Sequence, residues 1–234
     1  MGLFDNLIGQ YVKRREFVSK EIEGVDETSR KVKIRPFITI SRESGSGGKP
    51  IAQLVAKKLK YKFYNKKLID LTAKETKKRQ ALIASLDEKD RGMVEDLVYS
   101  LLSPDYVDEE TYFKHLCHVI LTVARKGNCV ILGRGANFIT GGYGGLHVRI
   151  EAPFLVRSGY TAQYEKLSIY EARERMQRLD KERKKFIQEH FGKDPSNPNY
   201  YDLVINTTYL NIAQAAEIIL TAFKNKFPDW KNYR

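Results

Sequence analysis

A strand, a glycine-rich loop and a helix follow one another between residues 37 and 59, and this order constrains the fold most. Residues 37–40 (FITI) form a short, apolar, β-branched run that is typical of a buried strand. The loop SRESGSGGK follows at 41–49, and Pro50 opens a helix at a position that tolerates proline. Such a loop can aim several backbone N–H groups at one anion, with the positive end of the helix behind it. The pattern predicts a phosphate-binding loop; a plain glycine-rich turn is the alternative.

The loop departs from the common phosphate-loop pattern G-x-x-x-x-G-K-[ST]. If Gly48 and Lys49 are taken as the G-K pair, the first glycine of the pattern falls on Glu43. If residues 45–47 are aligned instead, Gly48 occupies the lysine position. Both alignments lose the hydroxyl that usually holds Mg²⁺, and Lys49 or Arg42 becomes the candidate cation. The predicted phosphate-binding set is Arg42, Ser44, Gly45, Ser46, Gly47, Gly48 and Lys49.

The rest of the chain alternates strands with helices, which predicts a mainly parallel sheet with right-handed crossovers and helices on both faces. Residues 61–126 read as mostly helical, with helices predicted over 66–78, 89–102 and 109–126. Further strands are predicted at 129–132, 146–150 and 202–205, with a charged helical region at 154–190, a flexible glycine loop at 141–145 and a closing helix at 212–223. The predicted α/β domain spans residues 36–226, followed by a C-terminal tail at 227–234.

Residues 1–35 are interpreted as an N-terminal helical arm that ends in a linker. Leu3, Phe4, Leu7 and Ile8 recur at helical spacing, and a basic stretch follows. We expect this amphipathic arm to dock on its own domain or on a second subunit, in preference to a membrane surface.

Composition favours an anion-binding protein of a reducing compartment. The net charge is +12 and the pI is about 9.5, which suits nucleotides, nucleic acid or anionic membranes, although a solvated basic surface is an alternative. The two cysteines are too few for a disulfide framework, and the sequence lacks a membrane span and a signal-peptide pattern. We therefore expect a cytoplasmic protein without a membrane span.

Four blocks, in order, resemble the cytidylate kinase-like family over roughly residues 36–222. They are ITISRESGSGGKPIA at 38–52, VILGRGAN at 130–137, the R-x-D-x-x-R pattern of Arg178, Asp180 and Arg183, and YDLVINT at 201–207. The resemblance implies a P-loop nucleoside-monophosphate-kinase fold with a helical NMP-binding region and a mobile lid. It also implies transfer of the γ-phosphoryl group from ATP to CMP or dCMP, with Mg²⁺ as cofactor.

One segment departs from the family pattern. Family members often carry Tyr-Asp-[KR]-[ED] at the start of the NMP region, whereas this chain has Asn65 and Lys67 in place of the two carboxylates. A kinase for another small acceptor is therefore an alternative. A nucleotide-binding or nucleic-acid-binding regulator with weak catalysis is another, although nucleic acid is not the favoured partner.

Phosphoryl transfer requires cations that converge on the phosphates. Arg134 directly follows a predicted strand, and we expect it to contact the acceptor phosphate; pairing with a carboxylate is the alternative. Lys49, Arg134, Arg178 and Arg183 form the predicted catalytic set, and Asn65, Asp180 and Arg134 the predicted substrate-binding set. Asp180 is expected to position Arg178 and Arg183 by ion pairing. No metal ligands are predicted, since a core or surface role is favoured for His115 and His118.

Overall fold

The computed structural model describes residues 35–102 and 110–233, so the predicted arm at 1–35 lies outside the described residues except for Arg35. Within these ranges the chain forms a five-stranded sheet in which all strands are parallel. The strands are β1 (Phe37–Arg42), β2 (Lys62–Tyr64), β3 (Cys129–Leu132), β4 (Leu146–Glu151) and β5 (Leu203–Asn206). Their spatial order is β2-β3-β1-β4-β5, which places β1 at the centre.

Helices connect the strands and cover both faces of the sheet, which confirms the predicted α/β fold with a parallel sheet. The described residues between β2 and β3 are mostly helical, as predicted. The helices are α1 (Gly48–Leu59), α2 (Lys66–Lys74), α3 (Thr76–Ala84), α4 (Glu88–Leu101), α5 (Glu110–Lys126), α6 (Ala136–Ile139), α7 (Phe154–Glu165), α8 (Ile169–Phe191) and α9 (Ile212–Lys226), with short 3₁₀ turns at Gly141–Tyr143, Pro198–Tyr200 and Trp230–Tyr233.

Alternate residues of β1 point into two separate hydrophobic cores, as expected for a strand buried on both faces. Ile38 and Ile40 pack in the core that α1 and α9 cover. Phe37 packs in the other core, which α2, α4, α5 and α6 cover. The central position of β1 therefore fixes where the loop at its carboxyl end emerges.

The prediction that residues 61–126 are mostly helical is confirmed for the described residues from Lys66 onward, but it missed a strand at its start. Residues Lys62–Tyr64 form the edge strand β2, which pairs in parallel with β3, and Lys62 N–H donates to Asn128 C=O at 3.0 Å. A strand of three residues is too short for its apolar pattern to be distinguished from the patterns of the helices on either side. It is defined by its pairing with β3, and sequence periodicity does not predict which strands pair.

Two predicted helical segments are interrupted. The helix predicted at 66–78 breaks at Glu75, whose backbone is extended. The side chain of Arg79, which lies beyond the end of α2, donates to the C=O of Ala73 at 2.6 Å. The charged region at 154–190 breaks at Lys166, which adopts a left-handed conformation with φ 55°. Ser168 and Glu171 then form a reciprocal capping box that starts α8.

The segment after α9 contributes to the core. The indole of Trp230 is buried, and its ring packs edge-on against Tyr61 and Phe223 at centroid distances of 6.3 and 6.0 Å. Aromatic pairs of this kind stabilise a core beyond the area that they bury. The residues after 226 therefore help to close the core over α1 and α9.

His147 on β4 is held neutral in the folded protein. Burial lowers the pKa of His147 to about 4. Its Nδ1 contacts Thr39 Oγ1 at 2.7 Å, and its Nε2 is buried without a hydrogen-bond partner among the described residues. A proton on Nε2 would thus have no acceptor.

Stability is therefore expected to fall as the pH drops below about 6.5. The unfolded chain binds a proton at its ordinary pKa of about 6.5, whereas the folded chain does not bind one until about pH 4, so the destabilisation grows across that window and levels off below it. At pH 5 the loss is about 2 kcal/mol relative to pH 7.5. Urea unfolding of the unaltered protein and of His147→Gln at both pH values measures it. An equal loss of unfolding free energy in both proteins would contradict the assignment of this pH dependence to His147.

Candidate functional site

The loop at the carboxyl end of β1 has the geometry of an anion site. Gly45 and Gly47 both have φ 77°, a left-handed conformation that glycine adopts without strain. Helix α1 begins at Gly48, and its N-cap residue Gly47 makes no side-chain capping bond. The N–H groups of the first turn therefore face the loop together with the positive end of the helix dipole.

Two hydroxyl groups fix the loop from behind. The hydroxyl of Ser46 is buried. Its proton is shared between the C=O of Glu43, at 3.0 Å from Oγ, and the C=O of Ile150, at 3.2 Å. Thr207, in the turn after β5, donates its hydroxyl proton to Ser46 C=O at 3.0 Å. The carboxyl ends of β4 and β5 therefore hold the loop in place.

Arg157 on α7 is the central connection of the site. Its guanidinium is buried and donates to Ser44 C=O at 2.7 Å and to Asp180 Oδ2 at 2.7 Å. It also donates to Ala152 C=O at 2.8 Å and lies 3.3 Å from Glu43 Oε2. One side chain thus joins the loop to β4, α7 and α8. The sequence does not single out Arg157, because its helical region contains many arginines and no periodic signal distinguishes this one from the others.

Asp180 on α8 contacts the loop directly. Its Oδ1 accepts a hydrogen bond from the backbone N–H of Ser44 at 2.7 Å, and lies 3.4 Å from Arg183 Nη1. The expected ion pairing of Asp180 is therefore present for Arg183, and Arg157 is its second cation. Arg178 is exposed on α8. The ion pair predicted between Arg178 and Asp180 is not formed among the described residues, where Asp180 pairs with Arg157 and Arg183.

Three guanidinium groups converge beside the loop. The Arg42 side chain lies against Gly133, and Arg183 Nη1 donates to Arg42 C=O at 3.2 Å. Burial, together with the positive charges of Arg183 and Arg134, lowers the pKa of Arg42 to about 9. Burial likewise lowers the pKa of Arg183. Arg42 therefore stays protonated at neutral pH. An anion bound between the three guanidinium groups would relieve the repulsion between them.

Arg134 follows β3 and is held by Asp70 of α2. Its Nε and Nη2 donate to the two carboxylate oxygens at 2.8 and 2.5 Å, and Tyr112 donates its hydroxyl proton to the same carboxylate at 2.8 Å. Burial opposes ionisation of Asp70, but the hydrogen bonds from Arg134 and Tyr112 outweigh it and hold its pKa below the ordinary value. Arg134 itself has φ 57°, an uncommon conformation for a residue with a side chain. The carboxylate pairing left open as an alternative is present, and a phosphate contact stays a prediction.

The other predicted site residues occupy different places. Asn65 is the N-cap of α2, where its Oδ1 accepts a hydrogen bond from Leu68 N–H at 3.0 Å. Lys49 lies in the first turn of α1 with an exposed side chain. His118, which sequence analysis favoured as a core or surface residue, is buried with its ring nitrogens 3.0 Å from Glu95 and from Lys114 C=O. In the described ranges no group of three or more metal-ligating His, Cys, Asp or Glu side chains occurs.

Residues 37–209 match the sequence profile of the cytidylate kinase-like family, from the first residue of β1 to the turn after β5. The chain belongs to the cytidylate kinase-like family. The matched span includes the glycine loop and the residues of the arginine cluster, and it confirms the resemblance found in the sequence. The irregular loop thus belongs to a family of P-loop kinases.

The chain is similar to a curated protein over part of its length and to several solved structures. A cytidylate kinase from Methanopyrus kandleri is 32% identical over 94 residues, covering 36% of this chain and 49% of that protein, so the chain spans about half the length of this curated relative. An uncharacterized protein from Eubacterium ventriosum has a crystal structure that superimposes with a TM-score of 0.62 at 19% identity, covering 81% of this chain and 98% of the other. A shikimate kinase from Bacteroides thetaiotaomicron gives a TM-score of 0.43 at 14% identity over 81% of this chain and 96% of the other.

Among the described residues, no helix combines the length and the hydrophobicity that crossing a membrane requires.

Proposed function

We propose that this member of the cytidylate kinase-like family transfers the γ-phosphoryl group of ATP to a nucleoside monophosphate, with CMP or dCMP as the favoured acceptor. The convergence of Arg42, Arg134 and Arg183 beside a left-handed glycine loop carries this proposal. It places positive charge at the carboxyl edge of a parallel sheet, where ligands of open α/β folds bind.

The residues present suit two nucleotides that meet at their phosphates. The N–H groups of Gly48 and Lys49 would face the phosphates of ATP, while Pro50 has no N–H to offer. Arg183 and Arg42 would neutralise charge on the transferred group, and Arg134 would hold the acceptor phosphate. Since phosphoryl transfer needs little covalent help from the protein, such positioning and charge neutralisation are the main contributions required.

Mg²⁺ would be bound mainly by the phosphates and water, and it would neutralise phosphate charge. The loop lacks the usual hydroxyl ligand at the position after the lysine site. Asp180 is the carboxylate that contacts the loop backbone, at Ser44 N–H, and is our candidate for a protein oxygen near the ion. The carboxylate that we assign to the ion is thus already held in place by Arg157.

A second candidate function is a kinase for a different small acceptor. Asn65 replaces a carboxylate of the family pattern, and its side chain is engaged in capping α2. An acceptor recognised through that carboxylate would therefore bind this chain less well. A catalytically weak nucleotide-binding or nucleic-acid-binding regulator remains the alternative from a different functional class.

An ADP-release assay with Mg-ATP tests the proposal, using CMP, dCMP, UMP, AMP, GMP and an acceptor-free control. CMP or dCMP should raise ADP release above the control, and Arg134→Ala should lower that rate at least about tenfold, because a charge-assisted contact to phosphate is lost. Arg175→Ala is the matched control, since Arg175 forms an exposed ion pair with Glu165.

Different results would redirect the assignment. Turnover with another NMP would favour the second candidate function. ATP binding without turnover of any NMP would contradict NMP-kinase activity, and salt-sensitive binding of RNA or DNA would then support the regulator.

A further inference from the structure

The common phosphate loop carries a lysine where this chain has Gly48, so its charge must come from elsewhere. Aligned on residues 45–47, the first glycine of the pattern falls on Arg42 and the lysine falls on Gly48. The glycine position and the lysine position of the pattern therefore exchange roles: the expected glycine has a cationic side chain, and the expected lysine has none.

The structure brings these two positions into contact. A Cβ placed on Gly48 would lie 2.6 Å from Arg42 Cβ and 2.8 Å from Arg42 Cγ. The stem of Arg42 thus occupies the space into which a side chain at position 48 would grow. Gly48 has an ordinary helical backbone rather than a positive φ, so its lack of a side chain is explained by this contact and not by backbone conformation.

The head of Arg42 reaches the carboxyl end of β3, the strand paired with β1. Its Nη1 fills the space beside Gly133, the residue that follows β3. Arg134 and Arg183 contribute their positive charge at the same place. The Arg42 guanidinium is therefore a member of the cationic cluster, whereas Lys49 has an exposed side chain on the first turn of α1.

We infer that Arg42 replaces the lysine of the common phosphate loop, and that Gly48 is required because the Arg42 stem crosses it. This inference rests on the proposed function, since it assumes that the phosphates of ATP bind at this loop. It assigns the essential cation of the loop to Arg42 in preference to Lys49, which the sequence could not distinguish.

The decisive experiment exchanges the two residues. Arg42→Gly combined with Gly48→Lys restores the first glycine and the lysine of the common pattern, and residue 42 then has no Cβ to block the new side chain. Binding of Mg-ATP and of inorganic tripolyphosphate is measured by calorimetry at fixed ionic strength without an acceptor. Arg42→Gly should weaken both probes at least about tenfold, and the double variant should regain most of that loss.

Single substitutions complete the test. Gly48→Lys in the presence of Arg42 should bind no better than the unaltered protein, because the two side chains collide. Lys49→Ala should weaken binding less than Arg42→Gly does, and Lys57→Ala, an exposed residue farther along α1, is the control. Thermal unfolding checks that each variant is folded. If Arg42→Gly is not, Arg42→Lys and Arg42→Gln replace it, and only the lysine variant should keep binding.

Several results would overturn the inference. They are unchanged binding in Arg42→Gly, a larger loss in Lys49→Ala, equal binding by the lysine and glutamine variants, or a folded double variant that binds no better than Arg42→Gly. Failure of the unaltered protein to bind either probe would overturn this inference and the proposed function together. Binding that depends on Arg42 without turnover of any NMP would overturn only the proposed NMP-kinase function.

Discussion

Replacing Arg157 by methionine is expected to lower the free energy of unfolding by about 2–4 kcal/mol and to abolish tight nucleotide binding. Breaking a fully buried ion pair typically costs about 3–5 kcal/mol, because the remaining charge is left uncompensated. Here the Arg157 side chain is only 8% exposed, but its partners Glu43 and Asp180 are 27% and 29% exposed, so water offsets part of the cost. Methionine keeps much of the packing volume, and the effect therefore reports lost charge and hydrogen bonds.

The matched control is Arg175→Met, in the ion pair with Glu165. Both of these side chains are exposed, at 47% and 41%, and such surface pairs contribute at most about 1 kcal/mol. Urea unfolding of both variants at neutral pH compares the two costs, and calorimetry with Mg-ATP reports binding. Equal free energies of unfolding for the two variants would show that Arg157 does not stabilise the loop.

Gly45→Ala is expected to reduce nucleotide turnover at least about a hundredfold, since even a 1 Å misplacement of catalytic geometry can have that effect. Two features of Gly45 oppose a side chain. Its φ is 77°, and an added Cβ would lie 2.5 Å from Thr161 Oγ1 and 2.9 Å from the backbone oxygen of Arg157. Because one of the blocking atoms is backbone, the loop and α7 must move apart.

Gly159→Ala serves as the control in the neighbouring helix. Gly159 lies on α7, and beyond its chain neighbours and the adjacent helix backbone nothing lies within 4 Å of an added Cβ. Alanine should therefore stabilise the helix by about 0.5–1 kcal/mol without loss of turnover. Steady-state kinetics and thermal unfolding of the two variants separate loop geometry from a general effect of the added methyl group. Full turnover by Gly45→Ala would contradict the role of that loop conformation.

The elements with strong local patterns could be predicted from the sequence. The apolar, β-branched run at 37–40 and the glycines after it place β1, the loop and α1, and the alternation of strands with helices predicts the parallel sheet. The edge strand Lys62–Tyr64 is defined by its partner β3, and so it was missed. The start of α8 did carry a local signal, because Ser168 and Glu171 have the S-x-x-E spacing of a capping box.

The glycine loop was predictable, whereas the contacts that organise the site were not. Ser44 and Asp180 are 136 positions apart in sequence, and Arg134 and Asp70 are 64 apart, so their pairing depends on the completed fold. Arginines on the charged helices look alike in the sequence. Burial beside Ala152 and the loop is what distinguishes Arg157 from its exposed neighbours.

The close approach of Arg42 to Gly48 has a consequence for how such a loop can evolve. Exchange to the common glycine–lysine arrangement requires two substitutions. If residue 42 changes first, the intermediate has lost its phosphate-binding cation; if residue 48 changes first, the intermediate has a steric clash. Both single-step intermediates are impaired, so selection would hold the two residues together. The arginine–glycine arrangement is then inherited as a unit, and it would mark a lineage of loops separate from those with lysine.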